Sequence, residues 1–158
     1  MRYRGFPSKL QHETPHWVKE GSLFHIRIRL DLTKSQRPLT DPALARNLLE
    51  SATLYEQQQR WQIAMFLLMP DHIHGMLSFG RDKPMSITIG EWKHFHKHIH
   101  HVIWQEGYFD HRLRDDECGA QLAEKFDYIR RNPVVPGLCS RPEDWPWIID
   151  RSRDYISL

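Results

Sequence analysis

The segment 63–79 decides the fold of this chain, and it reads IAMFLLMPDHIHGMLSF. Its first seven residues are apolar, which predicts a strand covered on at least one face. Pro70 and Asp71 mark a tight connection, after which residues 72–79 are predicted to return as the second strand of a hairpin. Successive residues of a strand point to opposite faces, so His72 and His74 direct their rings to one point while Ile73 packs on the other side.

Spacing alone does not single out this pair, because the chain contains 11 histidines. The same i, i+2 spacing recurs among His94, His96, His98 and His100. Apolar residues accompany this second cluster at helical spacing, which predicts a helix over residues 86–104: Trp92, Phe95, Ile99, Val102 and Ile103. Residues i and i+2 lie about 200° apart around a helix, so only the strand pair converges and forms a candidate metal site.

The remaining elements follow from periodicity and capping signals. Residues 23–30 alternate as a first strand, with four apolar side chains on one face: Phe24, Ile26, Ile28 and Leu30. Thr40 or Asp41, followed by Pro42, begins a helix with a buried stripe of Leu44, Leu48, Ala52 and Tyr55. Residues 107–114 are predicted as a fourth strand, and a last helix begins at Asp115 or Asp116 and ends near Arg131, before Pro133.

The predicted order of elements is therefore β-α-β-β-α-β-α. Its first six elements correspond to a ferredoxin-like split βαβ antiparallel sheet with helices on one face. The fold class is α+β, and a C-terminal helix follows the sheet. A length of 158 residues suits one domain. We divide that domain, residues 1–158, into an N-terminal arm (1–21), a core (22–132) and a C-terminal tail (133–158).

Composition and charge limit the classes of function. No apolar run approaches the roughly 18 residues of a membrane span, and the first residues lack the apolar segment of a signal peptide. Cys118 and Cys139 are too few for a disulfide scaffold, so we expect a cytoplasmic protein. Residues 1–37 carry eight Lys or Arg and three Asp or Glu, whereas residues 38–158 carry 14 and 17. A basic arm on a nearly neutral body indicates either a polyanion partner or a solvated tail.

The last helix carries two further candidate functional residues. Its core stripe is Leu122, Phe126 and Ile129, and Tyr128 and Asn132 lie together on one flank. The simplest interpretation is an aromatic at the rim and a polar helix stop. Alternatively, a metal held by the His pair could polarise a phosphodiester so that Tyr128 attacks it. The carboxamide oxygen of Asn132 would complete a mixed N/O site suited to magnesium or manganese.

Several segments resemble one family in the right order along nearly the whole chain. Residues 69–75 (MPDHIHG) resemble the HUH motif of the REP-associated tyrosine transposases, relatives of insertion-sequence transposases that act on single-stranded DNA. Residues 128–134 (YIRRNPV) are similar to the catalytic-tyrosine segment of that family. Residues 107–111 (GYFDH), 141–147 (RPEDWPW) and 15–17 (PHW) also fit. Pro136, where a small residue is common, and the His-rich helix depart from the family pattern.

The resemblance implies a metal-dependent single-stranded DNA endonuclease and strand transferase. Tyr128 would be the nucleophile and would form a 5′-phosphotyrosine intermediate, and His72, His74 and Asn132 would bind Mg²⁺ or Mn²⁺. The implied partner is single-stranded or hairpin DNA of the kind found in repetitive extragenic palindromes, and a nucleoid-associated protein is expected. Related proteins include monomers and dimers. The candidate DNA-binding residues are Arg2, Arg4, Lys9, Arg27, Arg29, Lys93 and Lys97.

Two other functions stay open for the whole chain: a catalytically silent DNA-hairpin binding protein with the same fold, and a zinc-dependent hydrolase that uses His72 and His74. The His-rich helix has its own alternatives. Its polar face (Lys93, His94, His96, Lys97, His98, His100 and His101) is interpreted as solvated or as a phosphate-contact surface. A zinc site from His94 and His98, or from His96 and His100, lacks an evident third ligand.

Overall fold

A computed structural model describes residues 22–80, 82–113 and 119–156. One antiparallel sheet of five strands organises these residues, in the order β4-β1-β3-β2-β5. The strands are β1 (Phe24–Arg29), β2 (Gln62–Leu68), β3 (His72–Ser78), β4 (Phe109–Arg112) and β5 (Ile148–Asp150). The helices are α1 (Pro42–Gln57), α2 (Met85–His100), α3 (Gly119–Arg130) and the short α4 (Arg153–Ile156).

The strand order confirms the predicted fold class. The first four strands have the ferredoxin-like order β4-β1-β3-β2, and their antiparallel pairing follows from the split βαβ connections. The fifth strand was not predicted, because three residues are too few to give a periodic signal. It pairs with the outer edge of β2, where Phe66 lies opposite Ile149. The C-terminal tail therefore extends the sheet instead of trailing from it.

The two faces of the sheet carry different helices. On one face, α1 and α2 cover a core that includes Ile26, Ile73 and Trp92. On the other face, Phe126 and Ile129 of α3 pack against a second core formed by β2 and β3. β2 supplies both cores because successive side chains of a strand point to opposite faces. A register shift between Ile63 and Met65 interrupts this alternation, so that Ala64 and Met65 both belong to the second core. Ile73 thus faces α1 and α2, as predicted, while its neighbours His72 and His74 face the side of α3.

Helix α1 begins where its sequence predicts. Asp41 is the N-cap, its carboxylate accepts a hydrogen bond from the Leu44 amide at 3.3 Å, and Pro42 occupies the first turn. The four predicted stripe residues, Leu44, Leu48, Ala52 and Tyr55, are all buried.

Helix α2 corrects the sequence prediction in two respects. It ends at His100 and not at Trp104, because His101 adopts a left-handed conformation (φ 59°) and its amide donates to the His96 carbonyl. Its buried side also differs, since Phe95 and Ile99 are about half exposed whereas His96 is fully buried. The predicted polar face therefore loses His96 to the core. None of the described helices is long and apolar enough to cross a membrane.

Helix α3 is fixed at its C-terminal end by an ion-pair network that we call the Arg130 network: Asp127, Arg130, Asp150 and Ser152. The Arg130 guanidinium donates to the Asp150 carboxylate at 2.8 Å and to the Ser152 hydroxyl at 2.7 Å, and it also pairs with Asp127. The two carboxylates raise the pKa of Arg130, the hydrogen bond to Asp150 most strongly. Because Asp150 ends β5, the network connects the end of α3 to the edge of the sheet.

Candidate active site

The two histidines of the strand lie on β3, the central strand of the five-stranded sheet. β3 is hydrogen bonded on both sides, and its His72 and His74 lie opposite Arg29 and Arg27 of β1. The Nε2 atoms of the two rings are 3.2 Å apart, and the ring planes meet at 79°. His74 is buried and His72 is half-buried. The predicted convergence of the two imidazoles is therefore present in the structure.

A hydrogen-bond partner stands behind each ring. The Nδ1 atom of His72 is 2.7 Å from the Asp71 carboxylate, and the Nδ1 atom of His74 is 2.9 Å from Nε2 of His25. The Asp71 backbone is itself fixed, because its carbonyl accepts from the Leu30 amide at 2.9 Å. Partners of this kind orient ring ligands and leave the opposite nitrogen to face an ion.

Helix α3 brings the predicted third ligand and the predicted nucleophile to the same face. Asn132 lies just after the helix, and its side-chain amide donates to the Tyr128 carbonyl at 3.1 Å. Its side chain is also hydrogen bonded to His74, a contact that raises the pKa of that ring. Tyr128 is one turn earlier and 63% exposed. Together with His25 and Lys125, Tyr128 lines a pocket of about 440 Å³ between β1 and α3.

Burial keeps the histidines of the site neutral. Burial, followed by the charges of His25, His72 and Arg27, lowers the pKa of His74 to about 2. Burial and the charge of Arg27 lower the pKa of His25 to about 4. Burial also lowers the pKa of His72, although its hydrogen bond to Asp71 opposes the shift. Neutral imidazoles are the form that binds metal ions.

The donor set fits a divalent cation. Two nitrogens that bind one ion at about 2.1 Å each lie roughly 3 Å apart, which matches the 3.2 Å between the Nε2 atoms of His72 and His74. The carboxamide oxygen of Asn132 is an acceptor beside His74, since its nitrogen already donates to Tyr128. Among the described residues, no three His, Cys, Asp or Glu side chains are grouped to hold an ion. The fit therefore depends on two imidazoles and one amide.

A cleft with charges of both signs opens beside Asp71, the chain neighbour of His72. It has a volume of about 570 Å³, and its lining includes two arginines, three acidic residues and two aromatic residues: Arg27, Arg29, Asp31, Asp71, Glu106, Tyr108 and Phe109. The Arg27 guanidinium lies 4.9 Å from the centroid of the Phe109 ring. Burial and Arg29 lower the pKa of Arg27, and its interaction with Tyr128 raises it. Arg27 is thus close enough to Tyr128 for their charges to interact.

The other candidate DNA-binding residues do not join this group. Lys93 and Lys97 lie on α2, across the sheet from His72. The Lys93 ammonium donates to the Gly107 carbonyl at 2.7 Å and to the Gln105 carbonyl at 3.2 Å, and burial lowers its pKa to about 8. Lys97 is exposed. The predicted contacts of Arg2, Arg4 and Lys9 lie outside the described residues.

Sequence reasoning missed two side chains of the site. Asp71 belongs to the quoted motif but received no role, and His25 was not singled out at all. The signal for His25 was available, because the strand that buries Phe24, Ile26 and Ile28 on one face must direct His25, Arg27 and Arg29 to the other. Three polar residues in a row on one face of an inner strand indicate a polar site.

Comparisons with known proteins agree with this description. No protein-family model matches the chain. A protein of Haemophilus influenzae with the provisional name REP-associated tyrosine transposase is 28% identical over 151 residues, covering 83% of this chain and 80% of the relative. A solved structure of a REP-associated tyrosine transposase bound to a REP hairpin has a TM-score of 0.67 at 20% identity, covering 86% of this chain and 81% of that one. The resemblance that the motifs predicted is confirmed: the chain is similar in sequence to a REP-associated tyrosine transposase and has the fold of another.

Proposed function

We propose that this chain is a metal-dependent endonuclease and strand transferase that acts on single-stranded DNA at hairpins of the REP type. The observation that carries the proposal is the arrangement of four side chains on one face of the sheet. His72 and His74 converge, Asn132 is hydrogen bonded to His74, and Tyr128 lies one turn before Asn132 on α3. The REP hairpin held by the structurally similar transposase supports the choice of substrate.

His72, His74 and Asn132 would hold the ion. The oxygen ligand and the remaining positions for water and phosphate oxygens favour Mg²⁺ or Mn²⁺. When bound, the ion would polarise the scissile phosphate and stabilise the charge that develops on its oxygens. Asp71 and His25 orient the two rings, so the protein contributes a site that needs little rearrangement.

Tyr128 would act as the nucleophile. Its hydroxyl loses a proton to solvent and its oxygen forms a bond to phosphorus, while the bond from phosphorus to the 3′ oxygen of the preceding nucleotide breaks and that oxygen takes up a proton. By resemblance to the family, the products are a 5′-phosphotyrosine and a free 3′-hydroxyl.

The covalent step explains how one site can both cut and join. A phosphotyrosine retains a phosphodiester linkage, so a 3′-hydroxyl of another strand can attack it and release Tyr128 without an external energy source. The two reactions are the reverse of each other and use the same groups.

The DNA would approach along the cleft that Arg27 and Arg29 line. Arg27 and Arg29 are suited to phosphate contacts, which position a nucleic acid without reading its sequence. Tyr108 and Phe109, at the same cleft, are suited to stacking on unpaired bases. Lys93 and Lys97 would meet only DNA that continues around the sheet to α2, and Arg2, Arg4 and Lys9 would add contacts from the arm.

The decisive experiment removes the hydroxyl group of Tyr128. Labelled REP-type hairpin oligonucleotides are incubated with the protein and Mn²⁺, and a covalent protein–DNA adduct is detected on a denaturing gel. We expect Tyr128→Phe to abolish the adduct and cleavage and to leave hairpin binding largely unchanged. The matched control is Tyr155→Phe, since Tyr155 packs against Phe126 on the core side of α3. An adduct that persists in Tyr128→Phe assigns the nucleophile to another residue.

The same assay separates the alternatives. Hairpin binding by the wild-type protein without any adduct identifies a catalytically silent hairpin-binding protein. Tightly held zinc together with no activity on DNA identifies a zinc-dependent hydrolase. Cleavage that is unchanged in the presence of a chelator contradicts the metal dependence.

A further inference from the structure

Two exposed histidines on α2 take no part in the function proposed above. His94 and His98 lie one turn apart on that helix, and their ring centroids are 4.2 Å apart. We propose that this pair is half of a zinc site, and that a second copy of the chain supplies the other two ligands. Zinc would then join two molecules through their α2 helices.

The two rings lie on the outer side of α2. The side of the helix that faces the sheet is marked by the buried residues Met85, Ile89 and Trp92. Around the helix axis, His94 lies about 160° and His98 about 120° from Trp92, at 3.6 residues per turn. Both rings therefore point away from the core of their own molecule and towards a partner that approaches α2 from outside.

The spacing of the pair suits one ion. Residues four apart on a helix are neighbours, and two helical histidines at this spacing can share a zinc ion. Two rings that bind one tetrahedral zinc have centroids about 5 Å apart. The 4.2 Å between His94 and His98 therefore requires only a small rotation of two exposed side chains. His96 and His100 differ, because their rings are stacked and Nε2 of His96 is hydrogen bonded to Ser51.

The pair is incomplete in one molecule. Structural zinc is bound by four protein ligands at the corners of a tetrahedron. Across residues 22–80, 82–113 and 119–156, no group of three His, Cys, Asp or Glu side chains is placed to hold an ion. One described chain thus offers His94 and His98 alone. A two-fold axis through the ion doubles this set, and two copies of the pair provide four imidazoles.

The tetrahedron also determines how the two helices meet. Each pair occupies one edge, which runs along its own helix, and opposite edges of a tetrahedron are perpendicular. The two α2 helices would therefore cross at a large angle, with the ion at the crossing point. Helices that cross in this way touch over a short length. The contact buries little surface, so the ion supplies most of the affinity, and we expect a monomer without zinc and a dimer with it.

The surface around the pair suits a close crossing. Phe95 and Ile99 are about half exposed beside the two histidines, and a partner helix would cover part of them. Gly90, one turn before the first histidine, has open space where a side chain would lie, which lets a second backbone come close. The exposed Glu91 and Lys97 give each copy both signs of charge near the crossing, so the two surfaces do not simply repel.

Such a dimer would leave the candidate active site open. The helix α2 covers one face of the sheet, whereas His72 and His74 face the side of α3. The two sites also differ in the ion they favour, because imidazole ligands suit zinc and oxygen ligands suit Mg²⁺ or Mn²⁺. Zinc at α2 would therefore join two molecules and leave each candidate active site facing solvent.

Sedimentation velocity of DNA-free protein, in chelator and with Zn²⁺, tests the proposal. We expect a monomer in chelator, a dimer with Zn²⁺, and a monomer when Mn²⁺ replaces Zn²⁺. His98→Ala should abolish the zinc-induced dimer. His111→Ala, which removes another exposed histidine on β4, should leave it unchanged. Thermal unfolding of the metal-free variants checks the fold.

A zinc titration measures the stoichiometry of the site. The titration uses His74→Ala protein, so that the ion at α2 is separated from one held on β3. We expect saturation at one zinc ion per two chains, and loss of this binding in the double variant with His98→Ala. A monomer that saturates at one ion per chain overturns the shared site, as does protein that binds no zinc. A zinc-induced dimer that persists in folded His98→Ala overturns the assignment to α2.

These outcomes are distinct from failure of the proposed function. Protein that forms the zinc dimer through His94 and His98 but never forms a DNA adduct contradicts the nuclease and leaves the zinc site standing. Protein that cleaves hairpin DNA and remains a monomer with Zn²⁺ contradicts the zinc site and leaves the nuclease standing.

Discussion

The chain contains two histidine-rich regions with the same spacing, and they lie on opposite faces of the sheet with opposite outcomes. On β3, the Nε2 atoms of His72 and His74 are 3.2 Å apart. On α2, His96 points into the core while His94 and His98 remain exposed. Rings one turn apart do touch there, with centroids 4.2 Å apart for His94 and His98. Two histidines at this i, i+2 spacing form a candidate metal site only when the backbone directs both rings to one point.

The two regions also differ in the hydrogen-bond partners of the histidine ring nitrogens. On β3, the Nδ1 atom of each ring has a hydrogen-bond partner, Asp71 for His72 and His25 for His74. On α2, Nε2 of His96 is hydrogen bonded to the Ser51 hydroxyl at 2.7 Å, and its Nδ1 has no hydrogen-bond partner among the described residues. His100 stacks on His96 with an interplanar angle of 22°, an arrangement that does not aim both rings at one ion. Of the α2 histidines, His96 therefore packs in the core and is not arranged to bind an ion.

The largest effect should come from removing one ring of the β3 pair. We expect His74→Ala to weaken Mn²⁺ binding by more than about 100-fold, because loss of a ligand exceeds loss of a ligand's partner. DNA cleavage should fall with it. The matched substitution on the helix is His98→Ala, which should change neither quantity. Equal losses in the two variants, measured by metal titration and by hairpin cleavage, would show that α2 also holds the functional ion.

The buried ring of the helix should appear in the pH dependence of stability. Burial lowers the pKa of His96 to about 3, with His100 adding to the shift. Between pH 6.5 and about 3 the unfolded chain binds a proton at His96 that the folded chain excludes. The free energy of unfolding therefore falls as pH falls, by up to about 1.4 kcal/mol per pH unit from this residue.

Urea unfolding at pH 7 and at pH 5 measures this term. His96→Gln should reduce the loss of stability between the two values, whereas His94→Gln, at an exposed position, should leave it unchanged. The same pH dependence in wild type and His96→Gln would mean that His96 already titrates normally in the folded protein.

The smallest expected effect is on DNA affinity, for substitutions on the two faces of the sheet. Arg29→Ala should weaken hairpin binding and reduce the slope of log affinity against log salt by about 1, as expected for one lost phosphate contact. Lys97→Ala should give a smaller reduction, because Lys97 lies across the sheet from the site and reaches only DNA that extends to α2. Fluorescence anisotropy at several salt concentrations measures both slopes. An equal or larger change for Lys97→Ala would place the main DNA contact on the helix.

Much of the fold and the His pair could be predicted from local patterns. The cap at Asp41, the alternation of β1 and the short connection at Pro70 each act within a few residues, so the sequence contains them directly. The convergence of His72 and His74 needed only the strand assignment. The flank of α3 that carries Tyr128 and Asn132 also followed from helical spacing alone.

The remaining features depend on contacts between distant segments. His25 meets His74 only through the register of β1 against β3, which local periodicity does not contain. The face of α2 was misjudged because polar His96 is buried by a hydrogen bond to Ser51 of α1, while apolar Phe95 and Ile99 remain half exposed. Strand β5 has three residues, and it is stabilised by β2 and by Arg130 more than by its own sequence.

The Arg130 network has a consequence for the order in which the parts of the candidate site are assembled. Asp150 and Ser152 are 20 and 22 residues beyond Arg130 in the chain. Proteins are synthesised from the N-terminus and fold as units become complete. The strands that hold the His pair leave the ribosome first, and the helix with Tyr128 receives its fixed attachment only after Asp150 and Ser152 have followed. A nascent or prematurely terminated chain would therefore lack this attachment of α3, and with it the fixed arrangement of Tyr128 relative to the His pair.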